Sequence, residues 1–128
     1  MTDKLLKLPL DIKKRHLVVG DIHGRYDAFL RLLDEANYDS EKDIIYSVGD
    51  LIDRGPKSYE TLQFFLKPNT YATIGNHEYM AGPGYMFWGD TWVMNGGIRC
   101  MDSLREHGVD REWLEAYVNK MPWVIEVG

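Results

Sequence analysis

The sequence predicts an α/β fold built on a parallel sheet. Two observations carry that reading: short apolar runs alternate with segments of helical periodicity, and each run closes on a glycine followed by polar residues. The first run, Leu17-Val18-Val19, ends at Gly20 and reads as a buried strand. Phe29, Leu32, Leu33 and Ala36 follow at i, i+3, i+4 and i+7, one face of a helix. Asn37-Tyr38-Asp39-Ser40 is turn chemistry. Asp43 to Val48 is the second strand, closed by Gly49. Tyr59, Leu62, Phe65 and Leu66 repeat the helical spacing, and Pro68-Asn69 stops that helix. Tyr71 to Ile74 is the third strand, closed by Gly75. Short connections between such units require a parallel sheet with helices packed on it. Around this βαβαβ core, the first fifteen residues read as an arm lying on the domain. Residues 82–97, punctuated by Gly82, Pro83, Gly84, Gly89, Gly96 and Gly97, read as loop with a short helix. Asp110 is expected to cap a helix bearing Trp113, Leu114, Tyr117 and Val118. Trp123 to Val127 is expected as a last strand.

A length of 128 residues suits one domain, residues 1–128. With 45% hydrophobic and 27% charged residues, the chain has the means to bury a core, which excludes bulk disorder. Its net charge of −5 argues against nucleic acid or an anionic membrane as partner, since both need clustered positive charge. The single cysteine, Cys100, excludes an intrachain disulfide and suits a reducing compartment. No run approaches the roughly 20 apolar residues of a membrane span. Met1-Thr2-Asp3-Lys4 lacks the apolar core of a signal peptide. The expected location is the cytoplasm.

The chemistry gathers at the three strand ends: Gly20-Asp21-Ile22-His23-Gly24, Gly49-Asp50-Leu51-Ile52-Asp53-Arg54-Gly55 and Gly75-Asn76-His77-Glu78. Carboxyl ends of parallel strands lie side by side, and ligands bind there. Asp21, His23, Asp50, Asp53, Arg54, Asn76 and His77 are therefore expected to converge. Clustered carboxylates repel unless something positive sits among them. Oxygen donors with an imidazole suit a divalent first-row metal such as manganese, iron or zinc better than calcium or magnesium alone. Arg54 is suited to grip two phosphate oxygens in a planar fork. His77, oriented by Asp53, is placed to give a proton to a leaving oxygen. Taken singly, each part has a plainer reading: Asn76 as a helix cap, Asp53-Arg54 as a surface ion pair. Co-location at three successive strand ends favours the chemical reading, because caps need none.

These blocks resemble the GDxHG, GDxVDRG and GNHE motifs of the calcineurin-like metallophosphoesterases, phosphoprotein-phosphatase branch, with Ile52 where Val is usual. The Asp53-Arg54-Gly55-Pro56 run and Glu78 look more like small bacterial and phage serine/threonine protein phosphatases than diadenosine-tetraphosphate hydrolases. Trp92-x-x-Asn95-Gly96-Gly97 and Met121-Pro122-Trp123 also look like that type. The resemblance covers the chain from Leu17 onward. It implies a two-sheet sandwich flanked by helices in four α/β/β/α layers, of which this chain holds the N-terminal βαβαβ half plus helices. It implies Asp21 and His23 on a first metal, Asp50 bridging and Asn76 on a second. It also implies Arg54, Asn76 and His77 on the phosphate, and His77 with Asp53 as general acid. The implied reaction is attack on phosphorus by a metal-activated water, on a phosphoprotein or another phosphoester. The implied cofactor is a divalent metal pair, manganese foremost, with iron, zinc or nickel as alternatives.

The chain departs from that family in one respect. Members supply two further metal-ligand histidines and a second arginine from a later half, whereas this sequence ends at Gly128. His16 and His107 match neither position and read as satisfied or solvent-facing. The second metal site is then incomplete, and Val124, Ile125 and Val127 are expected on an open sheet edge. Two alternatives follow: an inactive fragment or metal- or phosphate-binding module, and an enzyme completed by an oligomer or a second chain. Trp88, Trp92, Trp113 and Trp123 with Tyr79 and Tyr85 are candidates for a substrate-facing aromatic wall, but read mostly as core. Met80, Met86, Met94 and Met101 read as gap fillers, and Cys100 as a small buried apolar residue.

Overall fold

The structure is a computed structural model and describes residues 4–128, so of the segment Met1 to Lys4 only Lys4 can be discussed. The chain runs β1 (Leu5–Leu8), β2 (Arg15–Val19), α1 (Tyr26–Glu35), β3 (Asp43–Ser47), α2 (Ser58–Phe64) and β4 (Thr70–Ala72). It continues through α3 (Asn76–Ala81), α4 (Tyr85–Trp92), a wide turn over Val93–Gly97, α5 (Ile98–Glu106), α6 (Arg111–Asn119) and β5 (Val124–Val127).

β2, β3 and β4 form one parallel sheet in that order, with Leu17 opposite Ile45 and Tyr46 opposite Tyr71. The expected βαβαβ unit is therefore present. β3 is central and buried at all five positions, as a middle strand covered on both faces must be. Phe29 and Leu33 anchor α1, and the Phe29 ring meets Phe64 edge-on at 4.9 Å. Leu32, expected on the same buried face, is 53% exposed: the stripe that α1 presses inward is the single i, i+4 pair.

Two expectations are corrected. The N-terminal arm lies on the domain as a regular strand: Leu5 to Leu8 form β1, which pairs in parallel with β5 from Leu5–Val124 to Leu8–Val127. The Leu-Leu-Lys-Leu run supplies a partner on one edge of β5; on the other edge β5 has no strand among the described residues, and Val124 and Val127 stay exposed as expected of an open edge. Residues 82–97 are mostly helical, and α3 and α5 add two helices beside them. The glycines there serve close packing rather than loop freedom. A Cβ at Gly89 would come within 2.8 Å of the Tyr85 ring, and one at Gly97 within 2.7 Å of the Trp92 indole. α5 buries Cys100, Ser103 and Leu104 at helical spacing, a face whose small and polar members hide its period.

Asp110 caps α6 as its position indicates: its carboxylate accepts from the Trp113 N–H at 3.0 Å. Leu114 and Val118 carry that helix into the core, which also holds Ile45, Leu51, Ile52, Leu62 and Trp92. The core thus lies directly beneath the loops that follow β2, β3 and β4.

Candidate metal and phosphate site

Asp21 and His23 follow β2, and Asp50 follows β3. Donor atoms of these three side chains all lie within 4.8 Å of one another. His23 Nε2 stands 3.6 Å from Asp21 Oδ2, while His23 Nδ1 is 2.9 Å from the Ile52 carbonyl oxygen. A carbonyl only accepts, so that bond places the ring proton on Nδ1 and leaves the Nε2 lone pair for a ligand. Two carboxylates and an oriented imidazole at this separation fit one divalent first-row ion. The geometry also orders the main chain, since Ile22 and His23 both donate their N–H to the Asp50 carbonyl, at 3.1 and 2.9 Å.

Asn76 opens α3, directly after the third strand end, with an exposed side chain. It is not the cap of that helix, a position held by Gly75. The next residue reaches back: the His77 N–H donates to Asp50 Oδ1 at 3.0 Å. The His77 ring lies edge-on to the His23 ring, centroids 4.7 Å apart, beside the carboxylate cluster. Its Nδ1 is 2.6 Å from Asp53 Oδ2, and that carboxylate is wholly buried. Burial pushes the Asp53 carboxyl up, whereas the bond to Asp53 raises His77 and favours its charged form. Asp53-Arg54 is thus not a surface ion pair. Asp53 turns inward to His77, and Arg54 is exposed with no ion pair among the described residues.

Four non-glycine residues of the site have positive φ: His23 (48°), Asp50 (55°), Asp53 (78°) and Arg54 (70°). Such a cluster costs energy that the surrounding bonds must offset, and it aims side chains to one side of the sheet. Glu78 supplies much of that offset. Its Oε1 accepts from the N–H of Asp50 at 2.6 Å and Gly75 at 2.8 Å, and its Oε2 accepts from Leu51 at 2.8 Å. Burial pushes the Glu78 carboxyl up to about 7, with the amide donors pulling against it. Glu78 thereby ties the loop after β3 to the loop after β4. The sequence displays Glu78 only as the end of a motif, because its partners are main-chain amides that leave no mark in residue pattern.

A cleft of about 430 Å³ opens beside the cluster, lined by Asn76, His77, Tyr79, Met80, Trp88 and Asn95. Trp88 is half exposed there, whereas Trp92 is fully buried. Met86 and Met94 are exposed at 88% and 86%, so they fill no gap, while Met80 and Met101 do pack on the core. Cys100 is fully buried, and burial pushes its thiol up. His16 and His107 lie elsewhere. His16 bonds Tyr46 Oη and the Asp11 carbonyl, both at 2.9 Å, and His107 stacks on Tyr59 at 4.1 Å. No helix among the described residues is long and apolar enough to cross a membrane.

Comparison with known proteins places this geometry in context. Residues 14–128 match the family model described as calcineurin-like phosphoesterase. Over 115 residues the chain is 40% identical to serine/threonine-protein phosphatase 1 of Salmonella typhimurium strain LT2, covering 88% of this chain and 53% of that protein. It is 45% identical over 65 residues to the symmetrical bis(5'-nucleosyl)-tetraphosphatase of Wigglesworthia glossinidia brevipalpis, covering 49% of this chain and 24% of that one. A protein serine/threonine phosphatase structure from Saccharomyces cerevisiae superimposes with a TM-score of 0.69 at 19% identity, over 99% of this chain and 40% of its own. The chain therefore spans about half the length, or less, of the relatives it matches.

Proposed function

Because the chain belongs to the calcineurin-like phosphoesterases, we propose that it carries the site of a metal-dependent phosphoester hydrolase acting on phosphorylated serine and threonine side chains. One observation carries the proposal: Asp21, His23 and Asp50 converge within 4.8 Å, with the buried Asp53–His77 pair at their edge. The resemblance to the Salmonella phosphatase over 88% of the chain favours a protein substrate. The shorter match to the tetraphosphatase keeps dinucleoside polyphosphates as the second reading.

In this proposal Asp21, His23 and Asp50 hold a divalent metal, manganese foremost, and Asp50 with Asn76 faces a second. Such a metal supplies Lewis acidity and brings the ionisation of water toward neutral pH. The protein's own groups do the rest. Arg54 holds non-bridging phosphate oxygens, with Asn76 and His77 beside it. His77, charged and fixed through Nδ1, gives its Nε2 proton to the ester oxygen as the P–O bond to the leaving alcohol breaks. The oxygen of water becomes the new phosphate oxygen, and the products are alcohol and inorganic phosphate. Among the described residues the second metal has fewer protein donors than the first, so one tight ion per chain is expected. With its single cysteine, the protein is assigned to the cytoplasm.

The test is manganese-dependent hydrolysis of p-nitrophenyl phosphate, then of a phosphoserine peptide against diadenosine tetraphosphate. Asp50→Asn should lower the rate by more than the roughly 10–100-fold that loss of an outer partner costs. Activity indifferent to chelator or to Asp50→Asn overturns the proposal. A preference for diadenosine tetraphosphate selects the second reading.

A further inference from the structure

The Asp53 carboxylate is wholly buried, yet only one of its oxygens is hydrogen-bonded. Oδ2 takes the His77 Nδ1 bond at 2.6 Å and a second bond from the Trp92 indole N–H at 2.7 Å. Oδ1 has no hydrogen-bond partner among the described residues. The rotation of the carboxylate is therefore set by two donors on the same atom. One is the imidazole to be oriented, so the other is the reference point.

Trp92 is built to serve as one. Its side chain is fully buried, with the Tyr85 ring edge-on at 6.2 Å and Gly97 against the indole face. The wide turn it starts then bends back on the same loop: the Arg54 N–H donates to the Gly96 carbonyl at 3.3 Å. Gly96 has φ of 109°, and a Cβ there would stand 2.7 Å from Arg54 Cγ. One turn thus touches the Asp53 side chain and the Arg54 backbone, the two residues that the proposed reaction needs in register.

We propose that Trp92 is a positioning residue, its indole N–H fixing Asp53 so that Oδ2 holds His77 in the orientation of a proton donor. The same Trp92–Gly97 turn seats Arg54. The inference concerns this chain's own geometry, and its catalytic part rests on the phosphoesterase reading above. Without the N–H, the carboxylate loses one of the two donors on Oδ2 and its rotation is less tightly set, while the phosphate grip and the carboxylate cluster remain. Loss should therefore fall on protonation of the leaving group.

Two proteins test this beside the wild type: Trp92→Phe, and a chain with 3-benzothienylalanine at position 92, which keeps the indole shape, replaces N–H by sulfur and guards against misfolding. On the zinc-loaded full chain, proton NMR reads the His77 Nδ1 proton. It should be downfield and slow to exchange in the wild type, and broadened or lost in both variants. An unchanged signal in the benzothienyl protein overturns the inference, whatever the activity. With metal bound, kcat on phenyl phosphate, a poor leaving group, should fall about 10-fold or more at unchanged KM. On 2,4-dinitrophenyl phosphate, which leaves without a proton, the change should stay within about 2-fold. Equal losses on both substrates overturn the positioning role. If instead Asp50→Asn leaves hydrolysis intact, the phosphoesterase reading fails, and the NMR result still decides what Trp92 does.

Discussion

Glu78 carries no exposed surface, and its two oxygens collect three amide protons from residues on two different loops. Glutamine has the same shape but only one acceptor. With its oxygen at the Oε1 position, the Gln amide would face the Leu51 N–H, donor against donor. Glu78→Gln should therefore cost about 1–3 kcal/mol, the penalty of a buried group left unpaired, read as a fall in melting temperature. It should also loosen Asp50, whose φ of 55° depends on the held amide. Neither Glu78 nor Trp92 was legible as an organiser. The residues themselves stand in recognisable motifs, but Glu78 acts on main-chain N–H groups 27 and 28 positions away, and Trp92 acts 39 positions back. Side-chain patterns identify the groups that face a ligand far better than those that hold such groups from behind.

Three strands close on glycine, and in sequence the closures look alike. In the fold they differ. Gly49 has φ of 95°, and a methyl there would overlap the Gly75 backbone and lie 2.7 Å from the Thr73 carbonyl oxygen. At Gly20 a methyl meets nothing within 4 Å. Gly49→Ala should destabilise by at least the ~1–3 kcal/mol of a strained backbone. Gly20→Ala should be neutral or stabilising by up to about 1 kcal/mol, through the unfolded chain. Denaturant midpoints at constant m-value check both, and equal effects would contradict the difference in packing. The strands themselves were readable because a buried parallel sheet writes continuous apolar runs. α6 was readable because Asp110 and a clean apolar stripe mark it. α4 was readable only as a short helix within a loop, since glycines used for ring packing look like those used for turns, and α5 was hidden by the small and polar residues of its buried face.

Across the sheet, Arg15 on β2 grips Asp43 on β3 with two bonds, at 3.0 and 2.8 Å, and donates to the Ala36 carbonyl after α1 at 2.9 Å. The Arg15 guanidinium holds the Asp43 carboxyl below its ordinary range. A depressed carboxyl contributes stability that is fully present above its unfolded value, near about 3.9. That contribution is lost as pH falls through the lower folded value. The wild type should therefore lose its advantage over Asp43→Asn on acidification below about pH 4, read as converging thermal midpoints. A gap that stays constant to lower pH would remove the pair from the account of acid stability. Neither residue belongs to a motif, and their pairing was hidden until register set Arg15 opposite Asp43.

Register has a further result in the second sheet. β2, β3 and β4 are joined by short crossovers and assemble from neighbours in the chain, whereas among the described residues β1 pairs only with β5, far away in sequence. A chain made from its N-terminus forward presents Leu5-Leu6-Lys7-Leu8 long before Val124–Val127. Until β5 emerges, that strand is an unpaired, leucine-rich edge with Lys7 as its one charge, the kind of edge that recruits stray strands. Closing so distant a contact is also slow, because the loop entropy is lost before any pairing rewards it. The β1 strand is thus exposed to other chains until its four-residue partner, from the far end of the described residues, arrives to cover it.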